Sequence, residues 1–352
     1  KTFCDIVQID SPSGEEESMA IDVVSRLESF GFSVTRDDYG NVIASDGKEN
    51  PILLSAHLDT VEPGRGITPI VKGDQIVSDG TTILGGDCKA GIVAVFEALE
   101  SMKEDGLEMR PTELVFTREE ELGLVGARNL DMSMLKSKEA IIFDGEGPVN
   151  QITSSSPTYI GFDIDIKGRA AHAGAEPEKG LSAIAIAADI INQLPQGRLD
   201  NNTTFNIGNI EGGSTRNTVP ENTLITGEFR STNLEKLDDL RSQIDAVISI
   251  VQKKYPEAVF ESHLHTSFET YTLEPNDPAT KTAKVALEKI GLSPIMQPSG
   301  GGTDGNVFRN RGISSVVVGM AVHGMHTVRE YVNIPVLVDT AHFCESLLQL
   351  DN

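Results

Sequence analysis

The chain has 352 residues with 29 Lys and Arg against 53 Asp and Glu, a formal net charge of −24, and that surplus repels phosphate backbones and anionic lipid, which excludes nucleic acid and membrane surfaces as partners. Its length leaves room for two or three domains, and three cysteines (Cys4, Cys88, Cys344) are too few for a disulfide framework. No apolar run approaches the roughly 20 residues of a membrane-spanning helix, and the first residues carry no signal-peptide pattern, so the expectation is a cytoplasmic protein.

In chain order, Ser11-Pro12-Ser13-Gly14 punctuates the chain before a helix with apolar positions Met19, Val23, Leu27 and Phe30, closed by Gly31. After Tyr39-Gly40-Asn41, residues 42–44 read as one arm of a hairpin. The pattern then predicts a strand over 52–56, a helix over 89–102 stopped by Gly106, and strands over 113–117 and 140–143. Strands separated by helices argue for a mostly parallel sheet covered on both faces. The pattern changes at Ser154-Ser155-Ser156-Pro157. From there Ile160, Phe162, Ile164 and Ile166 alternate with Gly161, Asp163, Asp165 and Lys167, the mark of an antiparallel strand with one wet face. A helix over 181–194, strands around 205–210 and 222–230, a helix over 234–253 and a strand over 258–265 complete a β-α-β-β-α-β order, that of a ferredoxin-like unit. Beyond Thr272 come a helix over 278–290, a strand over 314–318 and a last helix opened by Pro335. The expected fold class is α/β: one split domain with a mostly parallel sheet, residues 1–156 and 273–352, carrying an inserted α+β ferredoxin-like domain, residues 157–272.

The chemistry gathers where strands end. The predicted strands run into His57-Leu58-Asp59, into Glu119-Glu120-Glu121, into Asp144, and into a loop holding His323 and His326, while Asp87 follows Gly85-Gly86 just before a helix. Open α/β sheets bind ligands at the carboxyl ends of their strands. Carboxylates gathered there without basic partners repel one another, and a divalent cation removes that cost. Imidazole and carboxylate donors suit zinc, or cobalt and manganese as its neighbours. Two imidazoles and three carboxylates are too many for one tetrahedral ion and fit two ions sharing a carboxylate, roughly 3.5–4 Å apart. Taken singly, Asp87 is a plausible helix cap and the Glu run a plausible solvated face; the conjunction carries the metal expectation.

Ser55-Ala56-His57-Leu58-Asp59-Thr60-Val61, Gly85-Gly86-Asp87-Cys88-Lys89-Ala90-Gly91, Thr117-Arg118-Glu119-Glu120-Glu121-Leu122-Gly123 and Phe143-Asp144 resemble the motifs of the dizinc peptidase T, carboxypeptidase and aminoacylase superfamily. Gly168-Arg169-Ala170-Ala171-His172, Gly301-Gly302-Thr303-Asp304-Gly305 and His326-Thr327-Val328-Arg329-Glu330 extend the resemblance over nearly the whole chain, closest to peptidase T-like proteins. It implies that Asp87 bridges two ions, that His57 and Asp144 complete one site, and that Glu121 and His326 complete the other. It implies Glu120 as general base and Asp59 as the hydrogen-bond partner of His57. A one-residue shift in the Glu triplet would hand the roles of Glu120 and Glu121 to Glu119 and Glu120. It further implies that the insert is a lid and dimerisation domain, that His172 on it supplies an oxyanion donor from the partner subunit of a homodimer, and that Asn217, Arg230 and the loop Gly301, Gly302 and Thr303 contact substrate. Tripeptidases of this look carry an Arg just before the Gly-Gly-Thr-Asp loop; this chain has Gly300 there, preceded by Ser299, so tripeptide specificity is not implied.

The resemblance implies hydrolysis of amide bonds in short peptides by an exopeptidase. The alternatives are an N-acyl-amino-acid amidohydrolase of the same fold, acting on an acylated amino acid, and a metal-binding scaffold without catalysis. An intact ligand set together with Glu120 argues against the scaffold.

Overall fold

Every position of the strands Ile52–His57 and Thr112–Thr117 is buried, which happens only when a strand is flanked by neighbours and covered on both faces. In the computed structural model, which describes residues 1–350, the two lie side by side in parallel. Six consecutive strands of the nine-stranded sheet run in the order Ser33–Arg36, Val42–Ser45, Thr112–Thr117, Ile52–His57, Glu139–Gly145, Ser314–Gly319. The last four are parallel and the first two antiparallel. The chain divides into two compact units, Lys1–Ser155 with Thr272–Asn352 and Ser156–Tyr271.

The strand period of two distributes the apolar residues of the first unit over two cores. Ile52, Leu54, Ala56, Leu114, Phe116, Ile141, Phe143, Val316 and Val318 join one cluster with the helices Glu17–Ser29, Gly86–Asp105 and Ile334–Leu348. Their strand neighbours Leu53, Val115, Ala140, Ile142 and Val317 point the other way, against Leu130 and Phe308. The predicted mostly parallel α/β sheet is therefore present, with antiparallel strands at its edge. Its polarity places His57, Thr117, Asp144 and Gly319 at one common edge.

The second unit is a wholly antiparallel sheet in the order Gly197–Asp200, Thr203–Gly212, Asn222–Ser231, Thr158–Lys167, Val259–Phe268. Ile160, Phe162, Ile164 and Ile166 face the helices Ala183–Ile191 and Leu234–Lys254, as the alternation predicts.

Some boundaries differ from expectation, for local reasons. The helix expected over 181–194 spans only Ala183–Ile191: Leu181 pairs with Arg169 in an isolated bridge, Ser182 caps the helix by accepting the Ala185 N–H, and Pro195 disfavours helical geometry at the residue before it. The helix expected from residue 89 extends back to Gly86, although Asp87 and Cys88, joined by a cis peptide bond, depart from helical dihedrals. The residue pattern does not announce a small sheet of Val322–His323, Tyr331–Asn333, Gln75–Val77 and Ile70–Lys72, because strands of two and three residues are too short to show alternation. That sheet matters, since it anchors the loop that carries His326.

Asp277 shows how the segment after the insert is held. Its Oδ1 accepts the backbone N–H and the hydroxyl of Thr280, both at 2.9 Å, capping the helix Pro278–Lys289, and its Oδ2 accepts from Arg309. Burial works to raise its pKa, but Arg309 and the Thr280 donors outweigh it and hold it below the ordinary 3.8. A pKa lowered in the fold means stability that is present above 3.8 and lost as the pH falls through the lowered value. Asp277→Ala should cost about 2–3 kcal/mol at pH 7, from the lost cap and the stranded guanidinium. Urea unfolding at pH 7 and at pH 3 checks this, with a smaller cost expected in acid; an equal cost at both would remove the ionic contribution.

Candidate metal centre

Asp87 sits between two histidines. Its Oδ1 is 3.1 Å from His57 Nε2, and its Oδ2 is 3.1 Å from His326 Nε2. His57 Nε2 is also 3.6 Å from Asp144 Oδ1, and His326 Nε2 is 3.0 Å from Glu121 Oε1. The ligand atoms of His57, Asp87 and Asp144 lie within 4.8 Å of one another, as do those of Asp87, Glu121 and His326, so that Asp87 belongs to both groups. Cys88 also falls in the first group, but its Sγ donates to the carbonyl of Phe143.

The ring of His57 shows what kind of partner the cluster suits. Its Nδ1 lies 2.9 Å from the backbone carbonyl of Asp59, an atom that can only accept, so Nδ1 carries a hydrogen. In a neutral imidazole Nε2 then presents a lone pair, here aimed at two carboxylates. Lone pairs converging on one point need a second proton or a cation between them. Glu121 Oε1 repeats the pattern: it is buried and accepts no hydrogen bond, although His326 Nε2 is 3.0 Å away. Both the orphaned oxygen and the donor set, imidazole and carboxylate throughout, fit divalent ions.

The electrostatics agree. Burial pulls the pKa of His57 down, yet the surrounding groups Cys88, Asp144, Asp59 and Asp87 push it well above 6.5. The hydrogen bond to Asp87 and the nearby carboxylate of Glu121 raise His326 to about 10. Burial raises Asp144 to about 7, and burial followed by the charge of Asp144 lifts Glu120 well above an ordinary glutamate. Asp87, facing both imidazoles, is held at about 2 against the opposing effect of its burial. In the chain alone, protons keep this group of acids and imidazoles together, and a cation would displace them.

Three consecutive amides fix the Glu triplet. The N–H of Glu119 donates to Glu16 at 3.1 Å, that of Glu120 to Asp59 Oδ1 at 2.9 Å, and that of Glu121 to Asp59 Oδ2 at 3.2 Å. Ser13 donates its hydroxyl to the same Asp59 oxygen at 2.6 Å. Fully buried Glu16 also takes two donors from Arg118, at 2.9 and 2.7 Å. Glu119 lies in the left-handed region at φ 49° and accepts the hydroxyl of Tyr39, and unlike Glu120 and Glu121 it joins none of the ligand groups that contain the two histidines. Glu120 is buried and Glu121 partly so, and both fall within ligand distance of His57.

Of the residues singled out in the sequence, the first unit thus brings His57, Asp59, Asp87, Glu120, Glu121, Asp144 and His326 together. Thr303 caps the short helix Asp304–Asn310 with its hydroxyl and donates its N–H to Asn306, and the Gly301 N–H donates to Ser299 Oγ at 3.0 Å. His172, Asn217 and Arg230 lie in the second unit. There the Asn217 carbonyl accepts the Ala173 N–H at 2.9 Å, and the Arg230 guanidinium lies 4.8 Å over the Tyr159 ring. Sequence reasoning misses Ser13, Glu16, Arg118 and Glu330 as parts of this arrangement. Each acts on residues distant in the chain, and the Ser-Pro-Ser-Gly-Glu-Glu run reads only as a helix start.

Residues 155–256 match the profile described as "Peptidase dimerisation domain", and residues 41–155 match "Peptidase family M28". The chain is 35% identical to "Uncharacterized protein YqjE" of Bacillus subtilis (strain 168), over 99% of this chain and 96% of that one. It superposes with a TM-score of 0.85 on aminopeptidase PepT from Bacillus cereus ATCC 10987, at 35% identity, covering 98% of this chain and 96% of the other. The chain belongs to the peptidase T-like metallopeptidases. A tripeptidase from Staphylococcus aureus, similar at 31% identity and a TM-score of 0.90 over 99% of this chain and 96% of its own, shares the fold throughout. As a peptidase T-like metallopeptidase, the protein catalyses metal-dependent peptide hydrolysis. Among the described residues, no helix is long and apolar enough to cross a membrane.

Proposed function

We propose that this metallopeptidase is a dinuclear exopeptidase that releases residues from short peptides, with zinc as the native ion and with cobalt or manganese able to replace it. The observation that carries the assignment is the Asp87 carboxylate, which offers one oxygen to each imidazole at 3.1 Å. His57 and Asp144 would hold one ion, Glu121 and His326 the other, and Asp87 both. When bound, such ions supply hydroxide near neutral pH and polarise an amide carbonyl.

The chain's own groups do the rest. Glu120 accepts a proton from water at its carboxylate and later delivers it to the leaving amine. Its pKa, raised well above that of an ordinary glutamate by burial and then by the charge of Asp144, moves it toward the pH at which one group can both take and return a proton. Asp59 keeps Glu120 in place through the backbone amide and fixes the His57 ring through its own carbonyl. On the lid, His172 Nδ1 accepts the N–H groups of Gly174 and Ala175 at 3.2 and 3.1 Å, which leaves the ring hydrogen on Nε2. That hydrogen is a suitable donor for the tetrahedral oxyanion, contributed across a homodimer formed through the 155–256 domain. Arg230 would pair with a substrate carboxylate, and Asn217 and the Gly301, Gly302 and Thr303 loop would flank the peptide.

The test is amine release from free and N-acetylated dipeptides and tripeptides after loading with zinc, cobalt or manganese. Free peptides should be cleaved and their acetylated counterparts should not. Cleavage confined to acetylated substrates would move the protein to the deacylase alternative.

A further inference from the structure

Glu330, which the chemistry above does not use, has its carboxylate wrapped around the turn that presents Asp87. It is 1% exposed. Its Oε2 accepts the N–H groups of Leu84 and Gly85, both at 2.8 Å, and its Oε1 accepts the N–H of Asp87 at 3.0 Å. The turn is built for this approach. Gly85 takes the left-handed conformation at φ 70°, and a Cβ on Gly86 would come within 2.9 Å of Val332, 3.1 Å of Val322 and 3.2 Å of Glu330 Oε1. Gly85-Gly86 thus lets a carboxylate from a distant part of the chain lie against the backbone.

Glu330 stands four residues after His326, at the base of the same loop, just before the strand Tyr331–Asn333 that anchors the loop on Gln75–Val77. One carboxylate therefore ties the His326 loop to the Asp87 turn. The separations of 3.1 Å from Asp87 to each imidazole depend on where the Asp87 backbone sits, and Glu330 holds that backbone by its only donor.

We propose that Glu330 is a positioning residue for the metal centre, setting the place of Asp87 relative to His326 so that one carboxylate reaches both ions; this rests on Asp87 being the shared ligand. Glu330→Gln keeps the shape of the side chain and undoes the contact. If the amide oxygen stays with Leu84 and Gly85, the NH2 group confronts the Asp87 N–H, donor against donor. Partners of this kind typically change metal affinity by about 10–100-fold.

The experiment is zinc binding to the full chain, read by competition with a chromophoric chelator, on the wild type, Asp87→Ala, Glu330→Gln and Glu330→Asp, with thermal unfolding of each metal-free protein alongside. Glu330→Asp retains the charge and withdraws the carboxylate by one methylene. The expected result is weakening of both zinc equivalents by about 10–100-fold in a Glu330 variant whose metal-free unfolding temperature stays near that of the wild type. If Asp87→Ala binds zinc like the wild type, the shared-ligand assignment is wrong and the role of Glu330 falls with it. If Asp87→Ala loses zinc while folded Glu330 variants bind it as the wild type does, only the role of Glu330 is overturned. Failure of both Glu330 variants to fold would assign the residue to the fold and likewise overturn it.

Discussion

Glu120→Gln is expected to retain the full metal content of the wild type and to lower kcat by about 10²–10⁴-fold, with little change in KM. The carboxylate is nearly isosteric with the amide, and the contact that places the segment, from the Glu120 N–H to Asp59, belongs to the backbone and survives the change. What disappears is the group that takes a proton from water and returns it to the amine. Removing an interaction made only in the transition state lowers kcat and kcat/KM together. Glu119→Gln provides the contrast, because its side chain accepts from Tyr39 and joins no ligand group with the histidines. A Glu120→Gln enzyme within tenfold of wild type would contradict the role of Glu120 in either register, and a Glu120→Gln enzyme that loses metal, with a larger kcat loss at Glu119, would mean that the triplet is used in the shifted register.

Asp87→Ala should abolish hydrolysis and bring bound zinc toward none, whereas Asp144→Ala and Glu121→Ala should each weaken one equivalent. The asymmetry follows from geometry: Asp87 falls within ligand distance of both His57 and His326 together with Asp144 on one side and Glu121 on the other, whereas Asp144 groups with His57 alone and Glu121 is the carboxylate beside His326. Metal polarisation of a carbonyl supplies several kcal/mol of transition-state stabilisation, so losing both ions should cost roughly 10³-fold or more. Elemental analysis and peptide hydrolysis on the same preparations check the two halves together. One zinc retained at full affinity in Asp87→Ala would show that the carboxylate is not shared.

Much of the centre is legible in the amino-acid sequence because its ligands stand at element ends. A buried parallel strand reads as a mostly apolar run, and the polar residues at or just after its end, His57, Glu119 to Glu121 and Asp144, fall at the edge where the runs stop. Strict alternation at Ile160 to Ile166 likewise announces the second unit. What stays hidden acts across the chain. Nothing near Glu16 in sequence hints at Arg118 and the Glu119 amide, and nothing near Glu330 hints at Leu84, Gly85 and Asp87. The expected contact between Asp59 and His57 is made differently. The near acceptor is the Asp59 backbone carbonyl at 2.9 Å, with the carboxylate at 3.3 Å and engaged by the Glu120 and Glu121 amides. The small sheet under His326 leaves no trace because its strands are too short for a period to register.

The most direct measurement is the anomalous difference map of zinc-loaded crystals collected at the zinc absorption edge. Two peaks roughly 3.5–4 Å apart are expected, one against His57 and Asp144, the other against Glu121 and His326, with Asp87 reaching both. A single peak, or peaks that leave Asp87 without contact to either ion, would contradict the dinuclear account.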